Sequence, residues 1–249
     1  MKIKKIFSFA NQKGGVGKTT SCVNLAASLA SLKKRILLID LDPQGNATTA
    51  SGVEKAELLI SSNSILLGDH NLEEAVLSSP GGYDLIPTNH ELTQAEVELL
   101  HQEKREFFLK NILADQIYSY DYIFIDCPPS LNMLTVNALV AADAVLIPVQ
   151  CEFYALEGLT ALLTTIQQMQ DSANPELMIG GIIRTMFDGR AALTNEVSNE
   201  LLTYFPEAVF KTVIPRNVRL AEAPSYGLPA LLYDAHASGS KAYLALAEE

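Results

Sequence analysis

Residues 11–20 read Asn-Gln-Lys-Gly-Gly-Val-Gly-Lys-Thr-Thr, and this glycine-rich loop constrains the chain more than any other segment. It follows an apolar run at 6–10 and precedes a helical pattern that begins at 18. Glycines let the backbone turn tightly and bring its amides close to an anion. The positive end of the following helix faces the same anion. A strand, a glycine-rich loop and a helix in this order predict a cradle for nucleotide phosphates.

Two side chains of the loop are expected to supply most of its chemistry. Lys18 should contact the β- and γ-phosphates, and the Thr19 hydroxyl should bind Mg²⁺. The loop departs from the ordinary pattern G-x-x-x-x-G-K-[ST], because Gln12 stands where the first glycine belongs and Lys13 follows it. It is not a dinucleotide fingerprint either, since Thr20 replaces the third glycine. The other predicted nucleotide-binding positions are Gly14, Gly15, Val16, Gly17 and Thr20.

Apolar runs alternate with longer helical patterns along the whole chain, without a repeat or a linker. Strands are predicted at 6–10, 35–40, 83–86, 122–126, 144–149, 178–183, 209–214 and 230–233. Helices are predicted at 18–32, 91–117 with a break, 131–142, 154–171, 189–204 and 239–248. This alternation predicts a mostly parallel, twisted sheet with helices on both faces, an α/β fold of the P-loop NTPase type. We expect one domain over 1–249, with ligands at the carboxyl ends of the strands.

Three aspartates, at positions 40, 42 and 126, are expected at the carboxyl ends of the predicted strands. Asp126 ends the strand at 122–126, where a P-loop enzyme places a carboxylate near Mg²⁺. Asp42 precedes a proline, which biases it to an extended conformation at the strand tip, where it can orient a water molecule. The alternatives are a helix cap or turn for Asp126 and an Asp-Pro helix start for Asp42. Asp40 is expected at most to support these groups.

Composition limits the function classes. Asp and Glu outnumber Lys and Arg by 29 to 18, a net charge of −11, which argues against a constitutive nucleic-acid binder. Three cysteines without C-x-x-C spacing favour buried thiols in the cytoplasm over disulfides or zinc. No run approaches the roughly 18 apolar residues of a membrane span, and the apolar run near the start is too short for a signal peptide.

Four further blocks, together with the loop, resemble a known family. They are Asp-Pro-Gln-Gly-Asn at 42–46, Asp-Cys-Pro-Pro-Ser at 126–130, and the longer segments at 148–159 and 213–225. The combination resembles the ParA/Soj branch of the ParA/MinD ATPases, whose loop is a deviant Walker A. The resemblance extends from about residue 4 to about 247, and the loop alone would not separate ParA from MinD.

The resemblance implies that two subunits close face to face around two ATP molecules. Lys13 of one subunit then reaches the phosphates bound by the other, in the manner of an arginine finger. Gly14 lies where the subunits approach closely. The implied catalytic residues are thus Lys13, Lys18 and Asp42.

The same resemblance assigns the rest of the site. It implies that Asp42 positions the attacking water, and that Asp126, as the Walker B residue, supports Mg²⁺. Both aspartates are implied metal contacts, directly or through water, beside Thr19. Pro215 and Asn217 are implied to lie near the adenine. The implied cofactors are therefore ATP and Mg²⁺.

The family also implies that the ATP-bound dimer binds DNA without sequence preference and associates with the nucleoid. A ParB-type partner with a basic segment then stimulates hydrolysis and releases the DNA. Arg190 and Arg219 match family positions assigned to DNA contact, and the segment 180–220 holds five basic and four acidic residues. The alternative is that these arginines form ordinary surface ion pairs. The acidic remainder of the chain would attract the basic partner.

Competing functions remain on the same fold. A MinD-like membrane ATPase is disfavoured because the last residues lack a basic amphipathic helix. An iron–sulfur carrier or reductase subunit would need paired cysteines, which are absent from the sequence. A scaffold that positions another cargo is a further alternative. The short segment before the first strand leaves no room for a helix-turn-helix domain, so operator-specific repression is not expected.

Overall fold

The computed structural model describes residues 6–114 and 119–249. Strands within these residues are β1 Ile6–Phe9, β2 Ile36–Asp40, β3 Leu77–Ser78, β4 Asp84–Ile86, β5 Tyr122–Asp126, β6 Ala144–Gln150, β7 Met178–Phe187 and β8 Val209–Pro215. They form one sheet in the order β3-β4-β2-β5-β1-β6-β7-β8. Every neighbouring pair is parallel except β3 and β4, which are antiparallel. The predicted mostly parallel α/β fold is confirmed.

Helices cover both faces of this sheet. They are α1 Lys18–Ser31, α2 Asn46–Ala50, α3 Ser62–Leu67, α4 Leu72–Ala75, α5 Leu92–Leu99, α6 Phe108–Leu113, α7 Met133–Ala141, α8 Ala155–Ser172, α9 Ala192–Tyr204, α10 Val218–Glu222, α11 Ala230–Tyr233 and α12 Ser238–Glu248. Short 3₁₀ turns occupy Lys55–Glu57, Arg105–Phe107 and Ala223–Tyr226. Among the described helices, none is long and apolar enough to cross a membrane.

The central strand β2 shows why the apolar runs are continuous. Its residues point alternately to two hydrophobic layers: Leu37 and Ile39 pack in one, and Ile36 and Leu38 pack in the other. Helices α7 and α8 cover the first layer, and α1 and α12 cover the second. A strand buried on both faces has no position for a polar side chain, so its sequence does not alternate.

One sequence prediction fails on a short segment. The run 230–233 was predicted as a strand, and it forms helix α11 after Pro229. Four apolar residues do not distinguish a strand from one helical turn, and proline favours a helix start. The helical stretch predicted at 91–117 with a break does divide, into α5 and α6, and its last residues, 115–117, lie outside the described part of the chain.

The strand order brings three functional segments together. Strand β5 lies between β1 and β2, with Asp126 in register with Phe9 on one side and Asp40 on the other. The loop at 11–17 follows β1, and the segment at 41–45 follows β2. Because parallel strands end at the same edge, all three carboxyl ends meet there.

Candidate nucleotide-binding site

The glycine-rich loop has the backbone that an anion cradle needs. Gly15 and Gly17 have φ angles of 75° and 89°, in the left-handed region that favours glycine. Gly17 is the N-cap of α1, and no side chain caps that helix end. A Cβ added at Gly14 or Gly15 would meet no atom within 4 Å, so the loop borders open space. The helix therefore presents uncapped amides to a space that phosphates can fill.

Lys18 lies inside the site rather than on the surface. Its residue is only 7% exposed, and its Nζ lies 3.5 Å from the carbonyl oxygen of Lys13. Burial lowers the pKa of Lys18, and the nearby Asp126, Cys127 and Asp42 partly oppose this change. A desolvated ammonium at the start of an uncapped helix is well placed to bind phosphate oxygens.

Asp126 has the features of an unsatisfied metal-site carboxylate. The residue is fully buried, and neither carboxylate oxygen has a hydrogen bond of ordinary geometry among the described residues, although the Thr19 hydroxyl approaches it as a donor. Burial raises the pKa of Asp126 well above its usual range, the charge of Asp40 raises it further, and Thr19 and Lys18 offset only part of the rise. A buried carboxylate without ordinary hydrogen bonds fits a cation site, and Asp126 and Thr19 would be the residues that hold a hydrated cation there.

A helix cap for Asp126 and a helix start for Asp42, two of the alternative roles, are not found. Asn132 caps α7 with its side chain, which accepts from the Thr135 amide, so Asp126 is not that helix cap. Gly45 is the N-cap of α2, three residues beyond Asp42. Asp42 instead accepts a 3.0 Å hydrogen bond from the Gln44 amide at the tip of β2, with the residue 7% exposed.

Asp40 makes the most hydrogen bonds of the three aspartates. Its Oδ1 accepts from the Asp42 amide at 3.1 Å, and its Oδ2 accepts from the amide and hydroxyl of Thr48 at 2.8 and 2.7 Å. Burial raises the pKa of Asp40 to about 6, against the lowering effect of these hydrogen bonds. The side chain is therefore engaged within the protein, in contrast to that of Asp126.

Lys13 lies at the outer part of the loop. Its Nζ is 3.4 Å from Oε2 of Glu152, and its side chain is 33% exposed. Its amide donates to Asn11, whose own side-chain amide donates to the carbonyl of Pro148 at 2.8 Å. The end of β6 thus fixes the start of the loop.

A cavity of about 360 Å³ adjoins the loop on the β8 side. Pro215 and Asn217 line it together with Gly17, Thr20 and Tyr243. The structure therefore brings the predicted adenine-contacting residues next to the phosphate loop. The volume falls within the range of about 300–1,000 Å³ that small-molecule sites occupy.

Thr185 is a loop contact that the sequence did not reveal. Its hydroxyl donates a 2.7 Å hydrogen bond to the carbonyl of Val16, and its side chain lies 3.7 Å from a Cβ built on Gly17. Thr185 is the last of the buried residues of β7 and belongs to no recognisable motif. Nothing in the sequence therefore distinguishes it from a core residue. Thr48 was missed for the same reason. Asn11 and Glu152 lie inside the loop 11–20 and the segment 148–159, but neither motif indicated a separate role for them.

Arg190 and Arg219 are exposed and paired with carboxylates. Arg190 donates to both oxygens of Asp188, at 2.9 and 2.8 Å. Arg219 contacts Glu222 at 2.7 Å and Asp234 at 3.5 Å. These are the surface ion pairs that were the alternative to DNA contact.

Arg184 is one of the five basic residues of the segment 180–220, but it does not lie on the surface. Its guanidinium donates to the Ser198 hydroxyl at 2.8 Å and to the carbonyls of Phe210 and Lys211. The residue is buried and joins β7 to β8. The exposed surface of this segment is therefore less basic than its sequence indicates.

Within the described residues, no group of three or more His, Cys, Asp and Glu side chains is arranged to hold a metal ion. The donor set at the loop is Thr19 with nearby carboxylates. Such a set suits Mg²⁺, which binds through one or two protein groups, several waters and substrate phosphates.

Comparisons with known proteins agree with this geometry. The family model described as AAA domain matches residues 4–179. The sporulation initiation inhibitor protein Soj of Bacillus subtilis is 51% identical over 98% of this chain and 97% of its own length. The chromosome partitioning protein ParA of Myxococcus xanthus is 49% identical over 99% of this chain and 88% of its own.

A solved structure extends the likeness to the fold. Cobyrinic acid a,c-diamide synthase from Mycobacterium smegmatis, with bound ATP analog and magnesium, superposes with a TM-score of 0.86 at 35% identity. The match covers 99% of this chain and 93% of that one. With relatives this similar over nearly their full lengths, the chain belongs to the AAA-domain family and, within it, to the ParA and Soj group of chromosome-partitioning ATPases.

Proposed function

We propose that this ATPase is a partitioning switch that dimerises with ATP and Mg²⁺, binds DNA without sequence preference in that state, and releases it after hydrolysis. A ParB-type protein with a basic segment is the proposed stimulating partner. In the DNA-bound state the protein would associate with the nucleoid. The proposal combines the established family with a task for each residue of the site.

Each residue of the phosphate site has a proposed task. The uncapped amides of α1 and the buried ammonium of Lys18 bind the phosphates. Thr19 and Asp126 hold hydrated Mg²⁺, which neutralises charge that develops on the transferred phosphoryl group. Asp42 orients the attacking water. Pro215 and Asn217 form part of the adenine site.

The position of Lys13 is the observation that carries the dimerisation proposal. Its ammonium is one-third exposed and contacts Glu152 at 3.4 Å, at the outer part of the loop. An exposed pair of this kind contributes only about 0–1 kcal/mol, so exchanging Glu152 for a second subunit's phosphates costs little. A cation supplied from outside the pocket makes ATP a bridge between two subunits.

The arginine pairs support DNA binding that requires the dimer. Arg190 and Arg219 are exposed, but each is partly neutralised by its carboxylate partners. These two arginines of one subunit are therefore weakened as phosphate contacts, and the net charge of −11 opposes the approach of DNA. A dimer presents both arginines twice on one rigid surface. Once one subunit contacts DNA, the arginines of the other are at a high effective concentration, which raises the affinity for DNA.

ATP-dependent dimerisation provides the first test. Sedimentation with ATP and Mg²⁺ should show a dimer for the native chain and a monomer for Lys13→Ala, with ATP still bound. Lys34→Ala, at an exposed lysine outside the site, is the matched control and should dimerise. A Lys13→Ala variant that dimerises normally would remove the proposed role of Lys13.

Turnover provides the second test. ATP hydrolysis should be slow alone and rise when DNA and the product of a neighbouring partition gene are added together. DNA binding should appear with ATP and decline steeply as salt increases. A dimer that forms with ATP and binds no DNA at low salt would contradict the DNA part and favour a MinD-like or other cargo-positioning ATPase.

A further inference from the structure

Asp40 is fully buried at the end of β2, in register with Asp126 on β5. The two carboxylates are used differently. Asp126 has no hydrogen bond of ordinary geometry on either oxygen among the described residues, whereas Asp40 accepts three hydrogen bonds. A carboxylate has about four acceptor positions, so Asp40 has little capacity left for a metal or a water shell.

The donors to Asp40 come from both sides of one short segment. The Asp42 amide donates to Oδ1, and the amide and hydroxyl of Thr48 donate to Oδ2. The segment 42–48, held at both ends by these donors, begins with Asp42, whose side chain its own turn restrains through the Gln44 amide. One carboxylate therefore fixes the two ends of the loop that contains the water-orienting aspartate.

Thr48 connects this arrangement to a second strand. Its hydroxyl accepts a 2.9 Å hydrogen bond from the Thr88 amide, two residues after β4 ends. The hydroxyl thus donates to Asp40 and accepts from Thr88 at the same time, which fixes its orientation. The ends of β2 and β4 and the helix α2 are held in one buried network.

We propose that Asp40 is a positioning residue that acts through Asp42, with Thr48 as its necessary partner. This inference rests on the proposed role of Asp42 in orienting the attacking water. Asp40 does not contact the nucleotide. Its carboxylate holds the Asp42 amide, and with it the whole residue, in the orientation that hydrolysis requires.

Asp40→Asn is the first variant to test. An asparagine has one acceptor oxygen, so its amide group must face either the Asp42 amide or the two donors of Thr48, and one side loses its bonds. Turnover at saturating ATP should fall by about tenfold, because small displacements of a positioned group are costly in rate. The dissociation constant for ATP should change by less than about threefold, since no nucleotide contact is removed.

Thr48 supplies a conservative pair of variants. Thr48→Ser keeps the hydroxyl and should retain turnover close to the native rate. Thr48→Val keeps the shape, loses the hydroxyl, and should show the same selective loss as Asp40→Asn. Ser62→Ala is the matched control, because the Ser62 hydroxyl donates to the backbone carbonyl of Asp40 at 2.7 Å and not to its carboxylate. That control should lower stability and leave turnover per folded molecule unchanged.

A double-mutant cycle separates positioning from general support. If Asp40 acts through Asp42, then adding Asp40→Asn to the Asp42→Ala variant should not lower its ATP turnover further. Additive losses, or equal losses of turnover and ATP affinity in Asp40→Asn, would overturn the positioning role and leave that of Asp42 intact. Unchanged turnover in Asp42→Ala would instead overturn the role of Asp42, and the inference about Asp40 with it.

Discussion

The guanidinium of Arg190 donates hydrogen bonds of 2.9 and 2.8 Å to the two carboxylate oxygens of Asp188, two residues earlier in the chain. The Arg190 amide donates to the same carboxylate at 3.1 Å. Asp188 therefore occupies the positions that a DNA phosphate would need. Under the proposed function this carboxylate competes with DNA for Arg190.

Replacing that competitor should strengthen DNA binding. Asp188→Asn frees Arg190 and removes one negative charge from the surface. The affinity of the ATP-bound dimer for DNA should therefore rise by about two- to tenfold at low salt. Fluorescence anisotropy with a labelled duplex measures it. Asp171→Asn makes the same charge change on α8 and should have a much smaller effect. Equal effects of the two variants would mean that only net charge matters.

Removing the arginines should have the opposite result. Arg190→Ala and Arg219→Ala should each weaken DNA binding and reduce its salt dependence, while ATP affinity stays native, because neither residue lines the nucleotide site. Arg35→Ala removes another exposed, ion-paired arginine, whose partner is Asp121, and is the control. Equal loss of ATP and DNA binding would show that the arginines are structural.

The Asp188 pair also makes a pH prediction. Hydrogen bonds and charge from Arg190 lower the pKa of Asp188 to about 2. A lowered folded-state pKa means that the pair is intact above the unfolded value of about 3.9 and is lost as pH falls through about 2. Carboxyl carbon chemical shifts should show that low midpoint in the native chain and a return towards about 3.9 in Arg190→Ala. An unchanged midpoint would contradict the pairing.

Thr185 should contribute to nucleotide affinity. Thr185→Val removes the hydroxyl that donates to the Val16 carbonyl at 2.7 Å, and it leaves a buried loop acceptor without its partner. Because such a loss costs about 1–3 kcal/mol, ATP affinity should fall by about five- to a hundredfold in calorimetry. Thr160→Val removes a helix-surface hydroxyl that donates to Leu156, and it should bind ATP normally.

Gly227 should be the costlier of two glycine substitutions. Both Gly227 and Gly68 have positive φ, at 64° and 79°. A Cβ at Gly227 would lie 2.8 Å from the Cα of Gly52, whereas one at Gly68 would meet nothing within 4 Å. Gly68→Ala should cost about 1 kcal/mol of unfolding free energy for the backbone conformation alone. Gly227→Ala should cost at least about 1 kcal/mol more in urea unfolding, because backbone must shift.

Sequence reasoning located the parts of the fold that depend on local pattern. The apolar runs that became β2, β5 and β6 were identifiable because burial on both faces leaves no polar positions. The two-residue strand β3 and the helix at Ala230–Tyr233 were not, since segments this short show no period. Their conformation is decided by the neighbours they meet after the chain has folded.

The candidate site divides in the same way. Lys18, Asp42 and Asp126 could be predicted as site residues because the ends of parallel strands and a glycine loop have sequence signatures. Thr185 was not, because it reaches the loop from β7, 169 positions along the chain from Val16. The partners of Asp40 were also missed, since a hydrogen bond between side chain and backbone leaves no composition signal.

Tyr243 lines the cavity beside the glycine-rich loop, and its position late in the sequence affects when that cavity can form on the ribosome. Its hydroxyl lies 3.0 Å from that of Ser21 on α1, and α12 packs against both α1 and β8. The glycine loop leaves the ribosome more than two hundred residues before this tyrosine. A nascent chain thus exposes its phosphate loop long before the wall of this cavity can form, so the cavity is completed only late in translation.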